Sequence, residues 1–154
     1  MIQRIQSIYL LLVLILGILC FFIPYATFYV SEINVANIVA TGVIFNQYAA
    51  VSASINMTLL IIITFAIVLL TLTIIFLYKK RILQLKLIKL TMVLVIGSFI
   101  SMFLYADIIK TAINAELKYY FAAAFPIISL VLLYLAHKAI KKDEELVRAA
   151  DRLR

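Results

Sequence analysis

The chain has 154 residues, 67% of them hydrophobic and 14% charged, with a formal net charge of +7. A soluble domain averages roughly 45–50% apolar residues and must keep about a third of its surface wet, so this composition excludes an ordinary soluble domain. The charges stand in short blocks between long uncharged runs, which is the pattern of several membrane spans. In that setting the positive balance reports orientation, and nucleic acid is not an expected partner.

The first apolar run extends over about 5–28. It is longer than the apolar stretch of a signal peptide and no A-x-A-like site follows it, so it reads as a retained helix. Pro24 is expected to bend or end it near the far interface. The further predicted helices cover about 55–78, 87–107 and 119–137. Residues 87 to 107 would rise about 31 Å at ~1.5 Å each, matching a hydrocarbon core of about 30 Å. The charged stretch 138–154 carries Leu146, Ala150 and Leu153 at helical spacing, with Glu144 four residues before Arg148. That pattern predicts that the fourth helix continues beyond the membrane as a cytoplasmic tail. The expected fold is an all-α membrane protein: a single transmembrane domain, 1–154, built as a four-helix bundle.

Lysine and arginine placement predicts the topology. Arg4, the block from Lys79 to Lys89 and the tail from Lys138 to Arg154 put twelve cations on one side, against only Lys110 and Lys118 on the other. Both termini are therefore expected in the cytoplasm. The chain has no Trp, and Tyr25, Tyr29, Tyr105, Tyr119 and Tyr120 fall where an outer interfacial belt is needed. The exterior loop 29–54 has one charge, Glu32, and two β-forming stretches, Phe28–Val30 and Val43–Tyr48, separated by Asn37, Thr41 and Gly42. This predicts a short β-hairpin lying on the bundle; an interfacial helix through Ile33 to Ala40 is the alternative.

Few residues could carry chemistry. Asp107 is the one acidic residue near an apolar run. A carboxylate at membrane depth is a candidate ion or proton site, whereas one at the interface is only wetted or paired with Lys110. Gly97 and Ser101 have the small-xxx-small spacing of a helix-packing seam. Pro126 is expected to bend the fourth helix beside the small residues Ala122, Ala123 and Ala124. Cys20 is alone, and His137 is the single histidine, so neither points to a metal site. No phosphate-binding glycine loop or activated nucleophile is present, so no catalytic residue, cofactor or metal is expected and the chain does not read as an enzyme.

The two ends are the most distinctive strings, MIQRIQSIYLLL and AIKKDEELVRAADRLR. They resemble those of a family of small four-span membrane proteins of unknown function found in Bacteroidota. The resemblance implies a bacterial inner membrane and carries over no activity. It draws attention to Gln3, Arg4 and Gln6 at one end, and to Glu144, Leu146, Arg148 and Leu153 at the other, as a candidate partner-docking surface. The expected role is a non-enzymatic accessory or scaffold subunit of an inner-membrane complex, with the lipid bilayer and a membrane protein of unknown identity as partners. A small oligomeric transporter or channel, with Asp107 and the Pro126 bend lining a path, is one alternative. A lipid- or quinone-binding subunit of a membrane enzyme is the other.

Overall fold

A computed structural model describes residues 5–30, 33–45, 57–78 and 80–152. Four helices dominate: α1 (Ile5–Leu19), α2 (Thr58–Phe76), α3 (Arg81–Ile113) and α4 (Phe125–Arg152). Four short strands form one sheet: β1 (Ala26–Val30), β2 (Ile33–Val39), β3 (Gly42–Phe45) and β4 (Glu116–Tyr119).

The helices form a bundle because their buried residues recur at alternating steps of three and four. In α1 these are Gln6, Leu10, Val13 and Gly17. In α2 they are Leu60, Thr64, Ile67, Thr71 and Ile74. In α3 the series runs Gln84, Ile88, Thr91, Val95, Ser98 and Met102. In α4 it runs Pro126, Ser129, Leu133, Ala136 and Ile140. A mean repeat of 3.5 residues keeps one seam of each helix turned toward its neighbours. Each helix packs against the next in sequence, and α1 closes the ring against α4.

The distribution of polarity is inverted relative to a soluble bundle. Hydroxyl and amide side chains lie inside: Gln6, Thr64, Thr71, Gln84, Thr91, Ser98, Ser101 and Ser129 are all buried. Large apolar side chains point outward along every helix, among them Ile8, Ile62, Phe65, Phe76, Val93, Leu104 and Val131, each more than half exposed. Apolar area on that scale is stable only against an apolar surrounding. The interior hydroxyls bond their own helices: Thr64 to the Leu60 carbonyl (2.8 Å), Thr71 to that of Ile67 (2.7 Å) and Thr91 to that of Leu87 (2.9 Å). Three helices are long and apolar enough to cross a membrane, and α1 is a shorter apolar helix of 15 residues.

The sheet closes the end of the bundle where α1 and α3 finish and α4 begins. Its order is β3-β2-β1-β4, and every pair is antiparallel. Its inner face is buried: Ala26, Phe28, Ala36 and Ile38 have no exposed surface and pack with Met102, Ala106 and Ile109 of α3. A two-residue turn joins β2 to β3, and Gly42 after it has φ +151°, a conformation that side chains rarely tolerate.

Several sequence expectations change here. The first helix ends at Leu19, well short of residue 28. Pro24 cannot donate a helical hydrogen bond, and the next amide, that of Tyr25, bonds to the Ile38 carbonyl in β2. The chain therefore leaves the helix and enters the sheet. The alternative helix through Ile33–Ala40 is replaced by β2. The two predicted strand segments form but do not pair with each other: β2 lies between β1 and β3, and β1 on its other side pairs with β4, from the connection between α3 and α4. Asn37 lies within β2 and does not break it, and Tyr48 lies outside the described residues. Helix α3 is 33 residues long, extending past 87–107 at both ends. Hydropathy marks the apolar part of a helix, while Lys86 and Lys89 continue the same helix with their charges exposed. The left-handed residue Asn114 (φ 48°) then caps α3, its amide bonding the Lys110 carbonyl.

Candidate functional sites

Three places combine polar groups with accessible space or exposed surface. The first is inside the bundle. Gly17, Thr64, Ser98 and Ser129, one small residue from each helix, line a common cavity of ≈ 30 Å³. By the volume a water centre needs, that is room for about two waters. Four small side chains facing one another leave the core short of volume, and the cavity is the direct result. Gly17 also lets α1 approach α2: a Cβ there would lie 3.0 Å from Cγ2 of Val68. Thr64 and Ser98 spend their protons on the carbonyls of Leu60 and Val95, both at 2.8 Å. Tyr25 and Pro126 complete the lining at the sheet end. The Tyr25 and Thr27 hydroxyl oxygens are buried and bond no described residue.

Pro126 therefore takes a different role from a mid-helix bend. Helix α4 begins at Phe125, after a 3₁₀ turn over Phe121–Ala124, so Pro126 stands in its first turn. There a missing N–H costs nothing, because first-turn amides have no intrahelical acceptor. The packing seam expected at Gly97 and Ser101 is formed only in part. Ser101 is buried and its hydroxyl bonds the Gly97 carbonyl at 2.8 Å. A Cβ on Gly97 would meet no other group within 4 Å, so no helix of the bundle closes on it.

The second place lies on the outside of α3. Phe99, Ile100, Phe103 and Leu104 form the floor of an open groove of ≈ 470 Å³ that ends at Asp107 and Tyr119. The wall is an aromatic series. Phe99 stands edge-on to Phe103 (centroids 4.9 Å apart), and Phe103 lies 5.0 Å from the ring of Tyr119. Asp107 is exposed. Partial burial and the neighbouring Asp107 charge, in that order, raise the Tyr119 phenol above its ordinary pKa. Asp107 and Pro126 belong to different surfaces, so the structure does not join them along one path. Sequence patterning singled out Asp107 and placed Tyr119 only in the interfacial belt, because Tyr119 sits in a four-residue strand with no alternating signal.

The third place is the opposite end of the bundle. Gln6, expected on a docking surface, is 5% exposed and faces the core as the first buried residue of the α1 seam. Its Oε1 bonds no described residue. Gln84 donates from Nε2 to the Ile74 carbonyl at 3.1 Å, tying α3 to the last turn of α2. Arg81 donates to the Asp143 carbonyl at 3.2 Å, fixing the start of α3 to the late part of α4. Beyond Ile140, the last residue of its buried seam, α4 continues unbroken to Arg152. Leu146 on this extension is 62% exposed, and Lys141 pairs with Glu145 at 3.8 Å. Glu144 is half-buried, and Arg148 lies within the helix. Gln3, Arg4 and Leu153 lie outside the described residues. Among the described residues, no three His, Cys, Asp or Glu side chains gather as a metal site would require.

Residues 2–153 match the family described as Domain of unknown function (DUF4293), and the chain belongs to that family. No curated protein matches the chain. No solved structure matches it either.

Proposed function

We propose that this member of the family is a four-span, non-enzymatic scaffold or accessory subunit of a bacterial inner-membrane complex, with both termini in the cytoplasm. The observation that carries the reading is the extension of α4. Twelve helical residues follow the last buried seam position, Ile140, and they present Leu146 among charges. An isolated helix of that length is marginal in water. Continuity with a membrane helix, and the Arg81 contact at its root, hold this one in place. A helix already formed offers a partner a recognition surface at a small ordering cost.

The four-span arrangement is supported by the inverted polarity of the bundle and by the cation bias toward the end where α2 meets α3. Helix α1 rises only about 22 Å over its 15 residues. The apolar turn Cys20–Ile23, bonded back to Leu16, Ile18 and Leu19, lengthens that span.

The test is a mild-detergent purification of the tagged protein from its native membrane, with quantitative mass spectrometry of what accompanies it. A stoichiometric partner is expected, and deletion of residues 143–154 is expected to release it while membrane insertion is retained. Protein that purifies alone, or a partner that stays after the deletion, refutes the reading.

A further inference from the structure

We propose that the inner ends of α3 and α4 together form a binding site for the phosphodiester headgroup of an anionic phospholipid, phosphatidylglycerol being the class. The inference rests on the spanning orientation proposed above. Helices α1 and α2 contain no Lys or Arg. At the same end α3 carries Arg81, Lys86 and Lys89, and α4 carries Lys138, Lys141 and Lys142. Orientation alone would be served by cations at any helix end. Here they are gathered on one side of the bundle, on two helices that pack together.

The register of the two helices brings these cations to one level. Arg81 donates to the Asp143 carbonyl at 3.2 Å, and further along Ser98 and Ser129 line the same cavity. Counting between those two meetings of antiparallel helices puts Lys89 level with His137, and Lys86 between Lys138 and Lys141. The charges of Lys89 and Lys141 both act on the His137 imidazole, which places the three groups near one another. The four lysines at this level are exposed and His137 is half-buried. Acids are absent from it: the one acid of α3 is Asp107, and the first of α4 is Asp143. Among the described residues only Lys141 of the four has an ion-pair partner, Glu145 at 3.8 Å.

Depth and chemistry then select the ligand. From Lys89 to Asp107 helix α3 rises about 27 Å, close to a hydrocarbon thickness of about 30 Å. Lys89 therefore stands at the inner boundary, where lipid phosphates lie. Lysine stems reach that level while staying against apolar surface. Ammonium groups from both helices can donate charge-assisted hydrogen bonds to the two free oxygens of one phosphodiester. A zwitterionic headgroup would bring its own cation into a cluster that already lacks anions.

The experiment uses the full chain in mixed micelles with equal amounts of phosphatidylglycerol and phosphatidylcholine, followed by native mass spectrometry of the lipids retained. Each lysine beside an anionic headgroup contributes roughly fivefold in affinity. Phosphatidylglycerol is expected to be retained in roughly tenfold excess or more, and the Lys86→Gln, Lys89→Gln pair to remove most of that excess. Replacing both lysines by Arg is expected to keep it. Lys110→Gln with Lys118→Gln removes two equally exposed charges at the opposite end and is expected to leave it unchanged. Equal retention of the two lipids overturns the proposal, and so does an equal loss in both Gln pairs, which would mean attraction by net charge alone. Displacement of the lipid by excess inorganic phosphate would make free phosphate the ligand and also overturn it. Recovery of the chain outside the membrane fraction would instead overturn the spanning reading, on which this site depends.

Discussion

The two ends of the bundle are finished in opposite ways. At one end two helix connections, α1 to α2 and α3 to α4, are drawn into a four-stranded sheet whose inner face has no exposed surface. At the other a single helix runs on past its neighbours, held by one arginine–carbonyl bond. The first arrangement buries apolar side chains and so adds stability. The second leaves side chains uncovered, which adds little stability and makes them available to a partner. Burial and exposure of apolar side chains are thus separated along the bundle axis.

That separation is best broken by a pair of lesions. Phe28 is fully buried in the joint between sheet and helices. Phe28→Ala is expected to cost about 3–5 kcal/mol, read as a lowered unfolding midpoint in detergent. Ending the chain at Lys142 removes the acceptor of the Arg81 bond and should move the same midpoint by only about 1 kcal/mol. Equal costs would erase the distinction between the two ends. Next in size is the α1–α2 contact. The cost of Gly17→Ala should fall by about 1 kcal/mol when Val68→Ala is present, because Val68 is the group a new methyl would strike. A double-mutant cycle measures this coupling directly. At the tail end, Gln84→Leu removes the bond to the Ile74 carbonyl and should cost about 1 kcal/mol. The smallest effect concerns the groove. Neutralising Asp107 removes one of the two causes that raise the Tyr119 phenol, so in Asp107→Asn that phenol should ionise at lower pH. Near-ultraviolet titration, with Tyr119→Phe as the blank, shows the shift or its absence.

The helical part of this fold was legible in the sequence because a lipid-facing helix needs a long uncharged run, and such runs are conspicuous. The sheet was legible only in part. The stretch Ala26–Val30 continues an apolar run without a charge, so hydropathy cannot tell where α1 gives way to β1; Pro24 was the sole marker. Strand β4 is four residues long and pairs with a segment about ninety positions earlier, a relation that local pattern does not contain. Gln6 was placed on a docking surface because it belongs to the distinctive N-terminal string, although its spacing to Leu10, Val13 and Gly17 is that of the core seam. In a membrane bundle polar side chains gain by facing inward, so the usual inference from polarity to exposure reverses. Asp107 was identified as the residue to examine, but its setting depends on Phe103 and Tyr119 meeting from different elements.

The position of β1 at the centre of the sheet has a consequence for how the protein is made. One of its partners, β2, is translated within a few residues of it, but the other, β4, follows only after α2 and α3. Throughout that interval β1 is an edge with unpaired amides and carbonyls, open to pairing with another chain. Arrival of β4 removes the edge. The sheet thereby records that α2 and α3 have formed the returning pair that brings β4 back to β1, and a nascent chain that fails this step stays adhesive where a finished one is not.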